Sequence, residues 1–176
     1  MEDINPKNVL EVSNLNTWYG NKKILSDINL NVSHKEIMVI MGHSGSGKST
    51  LLRYILGLEK TKTGLIRLLD KEVSKLNKKD LYKLRKRIGV AFQNGALFSS
   101  MTVRENIELP LHENTELDEK TIHIMTRLKL ELMQLSGTES LMPSELSGGM
   151  LKRAGLARAV IMDPELLFFD EPSAGL

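Results

Sequence analysis

The chain has 176 residues, a formal net charge of +2 and 41% hydrophobic residues, enough apolar material for one domain with a real core. That mild charge gives no reason to expect a nucleic-acid or anionic-membrane partner. The sequence contains no cysteine, which excludes disulfides, thiolate metal sites and cysteine nucleophiles and suits a cytosolic protein.

The first twelve residues are polar and mixed in charge, so they do not have the apolar segment of a signal peptide. The longest apolar stretches, residues 37–41 and 166–169, are far shorter than the ~20 residues that span a bilayer. If the protein works at a membrane, another chain is expected to supply the spanning part.

The predicted elements begin with two strands, 9–18 and 25–32, which alternate apolar and polar residues as half-buried antiparallel strands do. Gly20 and Asn21 mark the turn between them. Residues 36–41 are continuously apolar apart from the first, which predicts a strand buried on both faces. Helical spacing follows over 48–58, and a short strand is predicted over 88–92.

The character of the sequence changes over residues 99–146, where helical spacing dominates. Thr102 and Glu105 have the spacing of a capping box and predict a helix start, and Pro110 is expected to end that helix. A second helix is predicted over 117–135 and a third over 147–162. The run 166–169 predicts a return to a buried strand, so a helical insert interrupts an α/β core.

The segment Gly42–Ser49 reads GHSGSGKS and fits the phosphate-binding pattern G-x-x-x-x-G-K-[ST]. It lies between a predicted strand and a predicted helix, which is the context that the pattern requires. Glycines allow successive backbone N–H groups to face phosphate oxygens, and the helix N-terminus adds its positive end. Lys48 can reach the β- and γ-phosphates, and the Ser49 hydroxyl can bind Mg²⁺.

Two further stretches fit nucleotide chemistry. Asp170 and Glu171 follow an apolar run, where an aspartate can hold Mg²⁺ and the next carboxylate can orient or deprotonate water. Ser147, Gly148 and Gly149 open the third helix with a hydroxyl and two unhindered amides, which favours either a capping serine or a second anion site. One nucleotide does not need two phosphate-binding sites in the same chain, but two chains arranged head to tail could each close the other's site.

Taken in order, these motifs resemble the nucleotide-binding subunits of ABC transporters over nearly the whole chain from Leu10. GHSGSGKST is similar to Walker A, VAFQNG to the Q-loop, LSGGM to the signature and LLFFDE to Walker B, and SAGL resembles the start of the D-loop. The implied fold is an α/β P-loop NTPase core with N-terminal antiparallel strands and an α-helical insert, incomplete at the C-terminus. The implied organisation is one domain over 1–176, with a catalytic core of 1–98 and 147–176 and a helical insert of 99–146.

The resemblance implies a role for each matching residue. Glu171 is the general base, Gln93 senses the γ-phosphate, and Asp170 binds Mg²⁺ together with Ser49 and Gln93. The ATP-contacting set comprises Tyr19, Gly42, Ser44, Gly45, Ser46, Gly47, Lys48, Ser49, Thr50, Ser147, Gly148 and Gly149. Tyr19 stacks on adenine, and the last three contact the partner's nucleotide. Met150 departs from the more usual glutamine, but backbone amides do most of the binding there.

LSGGM followed by LKRAGLARA, with FQNGALFSSMTVRENIELPL, resembles the MlaF/Mkl-type ATPases. The implied function is ATP hydrolysis that powers a separate inner-membrane permease for phospholipids, on the cytoplasmic face of a bacterial membrane. The implied partners are a second copy, the permease and a lipid-transfer subunit that binds the substrate, with no nucleic acid. The basic run 71–87 is interleaved with acidic residues and favours a solvated helical face.

Three other readings stay open at this point. A soluble ABC ATPase usually carries coiled-coil heptads or two cassettes, and a small GTPase needs an NKxD-like element; neither pattern is found. A fragment of a decayed gene is the third, because the strand, the switch histidine and the aspartate that follow SAGL in the family are not in the sequence. Without that strand and histidine, the 176 residues alone are expected to bind nucleotide weakly at best and not to hydrolyse it.

Overall fold

Alternating apolar and polar residues at the start of the chain form the predicted antiparallel hairpin. The computed structural model describes residues 8–171 and has β1 at Asn8–Tyr19 and β2 at Lys22–Ser33. Gly20, with φ +58, begins the two-residue turn between them. Positive φ at the first position of such a turn favours glycine, which explains the sharp reversal.

The hairpin belongs to a four-stranded sheet with the order β2-β1-β3-β4, in which β3 is Thr63–Leu68 and β4 is Lys71–Glu72. A bulge at Asn14, where φ is +51, shifts the pairing of β1 with both of its neighbours. Because one residue is added, the buried side of β1 continues from Val12 to Leu15 rather than to residue 14. The bulge therefore keeps the apolar face of a long strand turned toward one core.

Two short helices complete the part of the chain before Lys86. Helix α1 is Lys48–Ile55 and α2 is Lys78–Arg85, and they bury Leu51 and Leu84 respectively. The Arg85 guanidinium donates hydrogen bonds of 3.0 Å to the carbonyls of Leu56 and Gly57. These bonds fasten the end of α2 to the chain that leaves α1.

The described residues divide into two compact units between Arg85 and Lys86. In the second unit, two parallel strands, β5 and β6, flank three helices in sequence. The bounds are β5 Ile88–Ala91, α3 Val103–Asn114, α4 Glu119–Leu132, α5 Gly148–Val160 and β6 Leu166–Phe169. Apolar residues of the three helices form one buried cluster that includes Ile107, Leu130 and Ala157. The predicted helical insert and the strands on either side of it are confirmed.

The buried strand predicted over 36–41 is wrong. Residues 37–41 have no regular structure, and Ile37 and Met41 are 91% and 88% exposed. A continuous apolar run becomes a buried strand only when neighbours pair with it and cover both faces. Within residues 8–171 neither sheet contains this segment as a strand. For the same reason β6, which pairs only with β5 there, is half-buried rather than buried as expected.

The predicted end of the first insert helix at Pro110 is also wrong. Helix α3 continues through Pro110 to Asn114, and the Asn114 side chain donates a 2.6 Å hydrogen bond to the Pro110 carbonyl. Proline removes only one backbone donor, whereas Ile107 and Leu111 on either side of it are buried in the helical cluster. Tertiary packing thus overrides the local preference to stop.

The basic run 71–87, expected to form a helical face, is α-helical only at Lys78–Arg85; it begins with β4 and the 3-10 helix Val73–Lys75. The remaining helix limits agree with expectation to within a few residues, and no helix in residues 8–171 is long and apolar enough to cross a membrane. The capping box is confirmed at α3, where Thr102 Oγ1 accepts from the Glu105 amide and Glu105 accepts from the Thr102 amide. Two expectations, on the N-terminal residues 1–7 and on the D-loop stretch within 172–176, lie outside the described residues.

Candidate nucleotide-binding site

The glycine-rich segment forms an exposed loop that leads into α1. Gly42, Ser44, Gly45, Ser46 and Gly47 lie in the loop, whereas the following three residues of the motif are the first turn of the helix. These are Lys48, Ser49 and Thr50. The N-cap is Gly47, so no side chain caps this helix N-terminus, and apart from His43 the loop residues are glycines and serines. This is the arrangement that binds a phosphate.

Glycine is required at two loop positions for different reasons. Gly47 has φ +98, and a Cβ atom there would lie 2.8 Å from a methyl carbon of Leu25. A Cβ atom on Gly42 would lie 2.7 Å from the Ser46 hydroxyl oxygen. A larger residue at either position would push the loop out of its present shape or fill its concave side. The residues present therefore fit a phosphate chain.

Lys48 is held against the loop rather than extended into solvent. Its ammonium group donates hydrogen bonds of 3.0 and 3.2 Å to the carbonyls of Gly42 and His43. The positive charge is thus placed at the loop that starts the helix, where it adds to the positive end of the helix dipole. An anion in the loop would meet both the ammonium and the backbone amides.

Tyr19 is the last residue of β1 and is 85% exposed. The ring of its neighbour Trp18 lies under the Lys23 ammonium, 5.6 Å from the ring centroid. An exposed aromatic ring at the end of a rigid hairpin can stack on a nucleotide base. Tyr19 and the loop belong to the same compact unit.

Gln93 and Asp170 each follow the end of one of the two paired strands of the second unit. Strands β5 and β6 run parallel with Ala91 opposite Phe169, and the Asp170 amide continues the pairing with a 2.9 Å bond to the Ala91 carbonyl. The polar residues therefore follow two adjacent parallel strands at their carboxyl ends, where ligands bind in α/β proteins. Glu171 comes next, with φ +50, which turns the chain sharply as it leaves the strand.

The predicted second anion site lies at the start of α5. Ser147 is the N-cap and its hydroxyl accepts a 3.3 Å hydrogen bond from the Met150 amide. Gly148 and Gly149 are exposed, and a Cβ atom added to either would meet nothing within 4 Å. The capping role is thus present, and the amides of the two glycines remain open to a ligand from outside.

Within residues 8–171 no three histidine or acidic side chains cluster closely enough to hold a metal ion. The expected metal-binding residues have suitable chemistry, because a hydroxyl at Ser49 and a carboxylate at Asp170 are oxygen donors of the kind that Mg²⁺ prefers. They lie in different compact units.

Sequence reasoning missed the residues that shape the loop after Gln93. Asn106 is completely buried and bonds to the backbone of that loop, as does Arg158 from α5. A hint was available, because Asn106 sits beside Val103 and Ile107 on the apolar side of a predicted helix. A buried amide at such a position needs partners. No pattern in the sequence indicated Arg158.

The profile of the family described as "ABC transporter" matches residues 25–174, which include the phosphate loop, Gln93, the Ser147–Gly149 turn and the Asp170–Glu171 pair. The chain belongs to the ABC transporter family. The phosphate loop, the Ser147 turn and the end of β6, which resemble the Walker A, signature and Walker B motifs, all lie within the matched residues.

Curated ABC relatives are longer than this chain. The MlaF ATP-binding protein of the intermembrane phospholipid transport system of Haemophilus influenzae is 44% identical over 96% of this chain, which spans 64% of that protein. The Escherichia coli K12 MlaF protein is 42% identical, and the chain spans 62% of it. The probable ribonucleotide transport ATP-binding protein mkl of Mycobacterium leprae is 41% identical, and the chain spans 48% of it.

Solved ABC structures share the fold. The dimeric cassette MJ0796 matches with a TM-score of 0.88 and 31% identity, over 95% of this chain and 75% of that one. A dimer of MJ0796 in a post-hydrolysis state, bound to ADP and Pi, matches with a TM-score of 0.86 and 30% identity. The cbiO1 protein of Clostridium perfringens, described as part of the ABC transporter complex cbiONQ, matches with a TM-score of 0.84 and 32% identity. The predicted fold class is therefore confirmed.

Proposed function

We propose that this chain is the ATP-binding and ATP-hydrolysing subunit of an ABC transporter, and that it couples ATP-driven dimerisation to a separate permease. The observation that supports this most directly is the phosphate loop. Its glycines leave room for a ligand, no side chain caps the helix that follows, and Lys48 bonds back to the loop, which together fit a nucleotide phosphate chain. The catalytic core comprises residues 1–98 and 147–176, and 99–146 form the helical insert.

The polar residues that follow β5 and β6 each have a distinct role in this proposal. Glu171 accepts the proton of the attacking water as general base, and Gln93 senses the γ-phosphate. Asp170 and Gln93, with Ser49, would hold Mg²⁺, which would supply positive charge beside the phosphates. Tyr19 stacks on the adenine.

The signature turn acts on a second copy. Gly148 and Gly149 offer outward-facing amides, and Ser147 offers a hydroxyl. The nucleotide in the same chain's Walker A loop does not need these groups, so they can bind the nucleotide of a second copy. The dimeric MJ0796 cassettes support a homodimer, and we propose that it is head to tail, with each signature closing the partner's site. ATP would then serve as part of the dimer interface.

The cargo that we propose is a phospholipid, moved between bacterial membranes by an inner-membrane permease with the chain peripheral on its cytoplasmic face. Support comes from the two MlaF relatives, whose names specify intermembrane phospholipid transport. The mkl relatives are named for probable ribonucleotide transport, so ribonucleotides are the competing cargo. A lipid-transfer subunit that binds the substrate is a further proposed partner.

The test of the catalytic proposal uses Glu171→Gln in the protein as its gene encodes it. We expect ATP turnover to fall by on the order of 10³-fold while ATP binding persists, because only the proton acceptor is lost. The variant should accumulate as an ATP-bound dimer in size-exclusion chromatography with light scattering. Lys48→Ala is the matched control, since it should abolish ATP binding and leave a monomer.

The same preparations separate transporter from soluble ATPase. Co-purification of an integral-membrane subunit from detergent-solubilised membranes supports the transporter, and its absence under conditions that keep the chain folded would favour a soluble ABC ATPase. In reconstituted vesicles, ATP-dependent movement of labelled phospholipid but not of labelled ribonucleotide supports the proposed cargo. The opposite selectivity would contradict it.

A further inference from the structure

Helix α2 has a strongly charged face, although the formal net charge of the whole chain is only +2. Lys78, Lys79 and Lys83 are exposed, and Tyr82 between them is 49% exposed. At about 100° per residue, these four side chains occupy an arc of about 140° around the helix axis. This lysine face therefore concentrates positive charge on one side of two helical turns, which the net charge of the chain does not reveal.

The opposite side of α2 is packed, which keeps the lysine face turned outward. Leu84 is buried. A Cβ atom on Gly57 would lie 3.0 Å from a methyl carbon of Leu81, so Leu81 lies against the chain that leaves α1. Arg85 donates its hydrogen bonds to the carbonyls of Leu56 and Gly57. Because these contacts fix the rotation of α2 about its own axis, the lysine face cannot turn inward.

The acidic residues interleaved with this part of the basic run do not neutralise the lysine face. Glu72 forms a 2.7 Å ion pair with Lys75, before the helix begins. The Asp80 carboxylate accepts a 2.7 Å hydrogen bond from the Asn77 side chain, and the Asp80 amide donates a 2.9 Å bond back to Asn77. Within residues 8–171 none of the lysines of the face forms an ion pair. Their charge is therefore available to an anion from outside the chain.

A face of this composition complements a layer of anionic phospholipid headgroups. A lysine ammonium is a compact charge on a flexible stem, so several lysines can follow headgroups whose positions are not fixed. Tyr82 adds an amphipathic ring of the kind that lies at the boundary between headgroups and water. Nucleic acid is less suited to this surface, because its strands bind along grooves with repeated stacking rings, whereas α2 presents one ring on a convex helix.

We infer that the lysine face of α2 binds the anionic phospholipid surface of a membrane directly. This contact goes beyond the proposed function, since it involves the headgroups of the surrounding bilayer rather than a transported cargo, and it needs neither a permease nor a nucleotide. Each lysine near an anionic bilayer contributes a modest electrostatic attraction, so the contact alone is weak and reversible. In a chain already held at a membrane by another contact, the face determines which side of α2 lies against the bilayer.

The test measures flotation of the protein as its gene encodes it, purified without a permease, with two kinds of vesicle. One kind contains phosphatidylcholine alone, and the other also contains phosphatidylglycerol. We expect binding to the anionic vesicles only. Changing Lys78, Lys79 and Lys83 together to glutamine should lower the partition coefficient on the order of 100-fold, because three cations are lost from the bilayer surface. Glutamine has a helix propensity close to that of lysine, so α2 should stay folded.

The matched control changes Lys60, Lys62 and Lys120 together to glutamine. These lysines are also exposed, but they lie in the loop before β3 and on α4. Both triple variants lose the same net charge, so a difference between them reports the position of the charge rather than its total. The partition coefficient of the control should stay within about threefold of wild type. Raising the salt concentration should release the wild type from the anionic vesicles, because salt screens exposed charges.

A Tyr82→Trp variant shows whether this face is the one in contact with the bilayer. The sequence contains a single tryptophan, Trp18, so the wild type supplies the background signal. On anionic vesicles the fluorescence of Tyr82→Trp should shift to shorter wavelength by more than that of the wild type, because the new ring leaves bulk water.

The inference is overturned if neutral and anionic vesicles bind equally, or if the two triple variants lose binding equally. It is also overturned if inorganic phosphate at matched ionic strength releases the protein, since free phosphate is then the ligand. Tighter binding of a double-stranded DNA oligonucleotide than of the vesicles, lost in the Lys78, Lys79 and Lys83 variant, would assign the face to nucleic acid instead. ATP binding and co-purification of a permease are measured separately, so failure of the vesicle test leaves the proposed function standing, and the reverse also holds.

Discussion

Glu105 shows how one side chain fixes where a helix begins. Its carboxylate accepts a 2.7 Å hydrogen bond from the Thr102 amide and a 2.9 Å bond from the Thr102 hydroxyl. The backbone hydrogen bond, and then the side-chain one, hold the pKa of Glu105 below the ordinary 4.5. Since Thr102 starts the helix that carries Asn106, the cap also fixes the position from which Asn106 bonds to the loop after Gln93.

The lowered pKa of Glu105 predicts a pH dependence. A carboxyl whose pKa is depressed on folding stabilises the protein above its unfolded value and loses that contribution as the pH falls through its folded value. We therefore expect Glu105→Gln to lower the free energy of unfolding near neutral pH, and the difference from wild type to shrink as the pH falls below 4.5. Urea unfolding of both proteins at a series of pH values measures this.

The control is Glu113→Gln, at the opposite end of the same helix. A carboxylate near a helix C-terminus faces the negative end of the dipole, so this change should not destabilise the protein at neutral pH. The prediction would be contradicted if the difference in the free energy of unfolding between Glu105→Gln and wild type persisted unchanged at low pH.

At the scale of the element, β1 depends on a glycine in its neighbour β3. Gly64 has φ +88 and lies against the bulge, where a Cβ atom would come within 2.5 Å of the Asn14 carbonyl oxygen and 2.6 Å of the Leu15 Cα atom. Both obstacles are backbone, which cannot turn aside as a side chain can. The bulge and the glycine therefore require one another.

Gly64→Ala should destabilise the chain by on the order of 3 kcal/mol, since it adds a backbone clash to the strain of positive φ. The matched control is Gly137→Ala, where φ is +83 and a Cβ atom would meet nothing within 4 Å. That variant should cost only about 1 kcal/mol. Equal losses in chemical denaturation would show that the bulge can relax.

The elements also show what sequence could and could not predict. Patterns that depend on neighbours in sequence were read correctly, such as the alternation in β1 and the cap formed by Thr102 and Glu105. Pro110 was misread because burial of Ile107 and Leu111, which decides the outcome, comes from other helices. Segment 37–41 was misread because an apolar run does not reveal whether strands will pair with it. Arg158 contacts residues more than 60 positions away, and no local pattern encodes that.

At the scale of the whole molecule, the exposed apolar segment 37–41 is the feature most at odds with an ordinary soluble surface. Monomeric proteins rarely expose contiguous apolar patches unless another surface covers them. The segment leads directly into the Walker A loop, so any surface that covers the segment would also stabilise the first residues of that loop. Its exposure predicts self-association of the 176-residue chain.

Replacing Ile37 and Met41 together by lysine should reduce light scattering of the concentrated chain. Because both side chains are exposed, the change in the free energy of unfolding should stay within about 0.5 kcal/mol. Ile66→Lys introduces the same charge at a fully buried position of β3 and should unfold the protein. Substantial destabilisation by the double lysine variant would mean that the segment is packed in solution.

The parallel pairing of β5 with β6 has a consequence for how the chain can diverge. Gln93 and Asp170 keep their spacing through pairs between the two strands, from Ile88 with Leu166 to Ala91 with Phe169. The chain between these two strands, which includes α3, α4 and α5, is one long connection that leaves the two-stranded sheet after β5 and returns to it at β6. Insertions and deletions in the connections between these helices can therefore accumulate without altering the spacing of the two polar residues. The surface formed by these helices can therefore change during evolution while Gln93 and Asp170 stay in register.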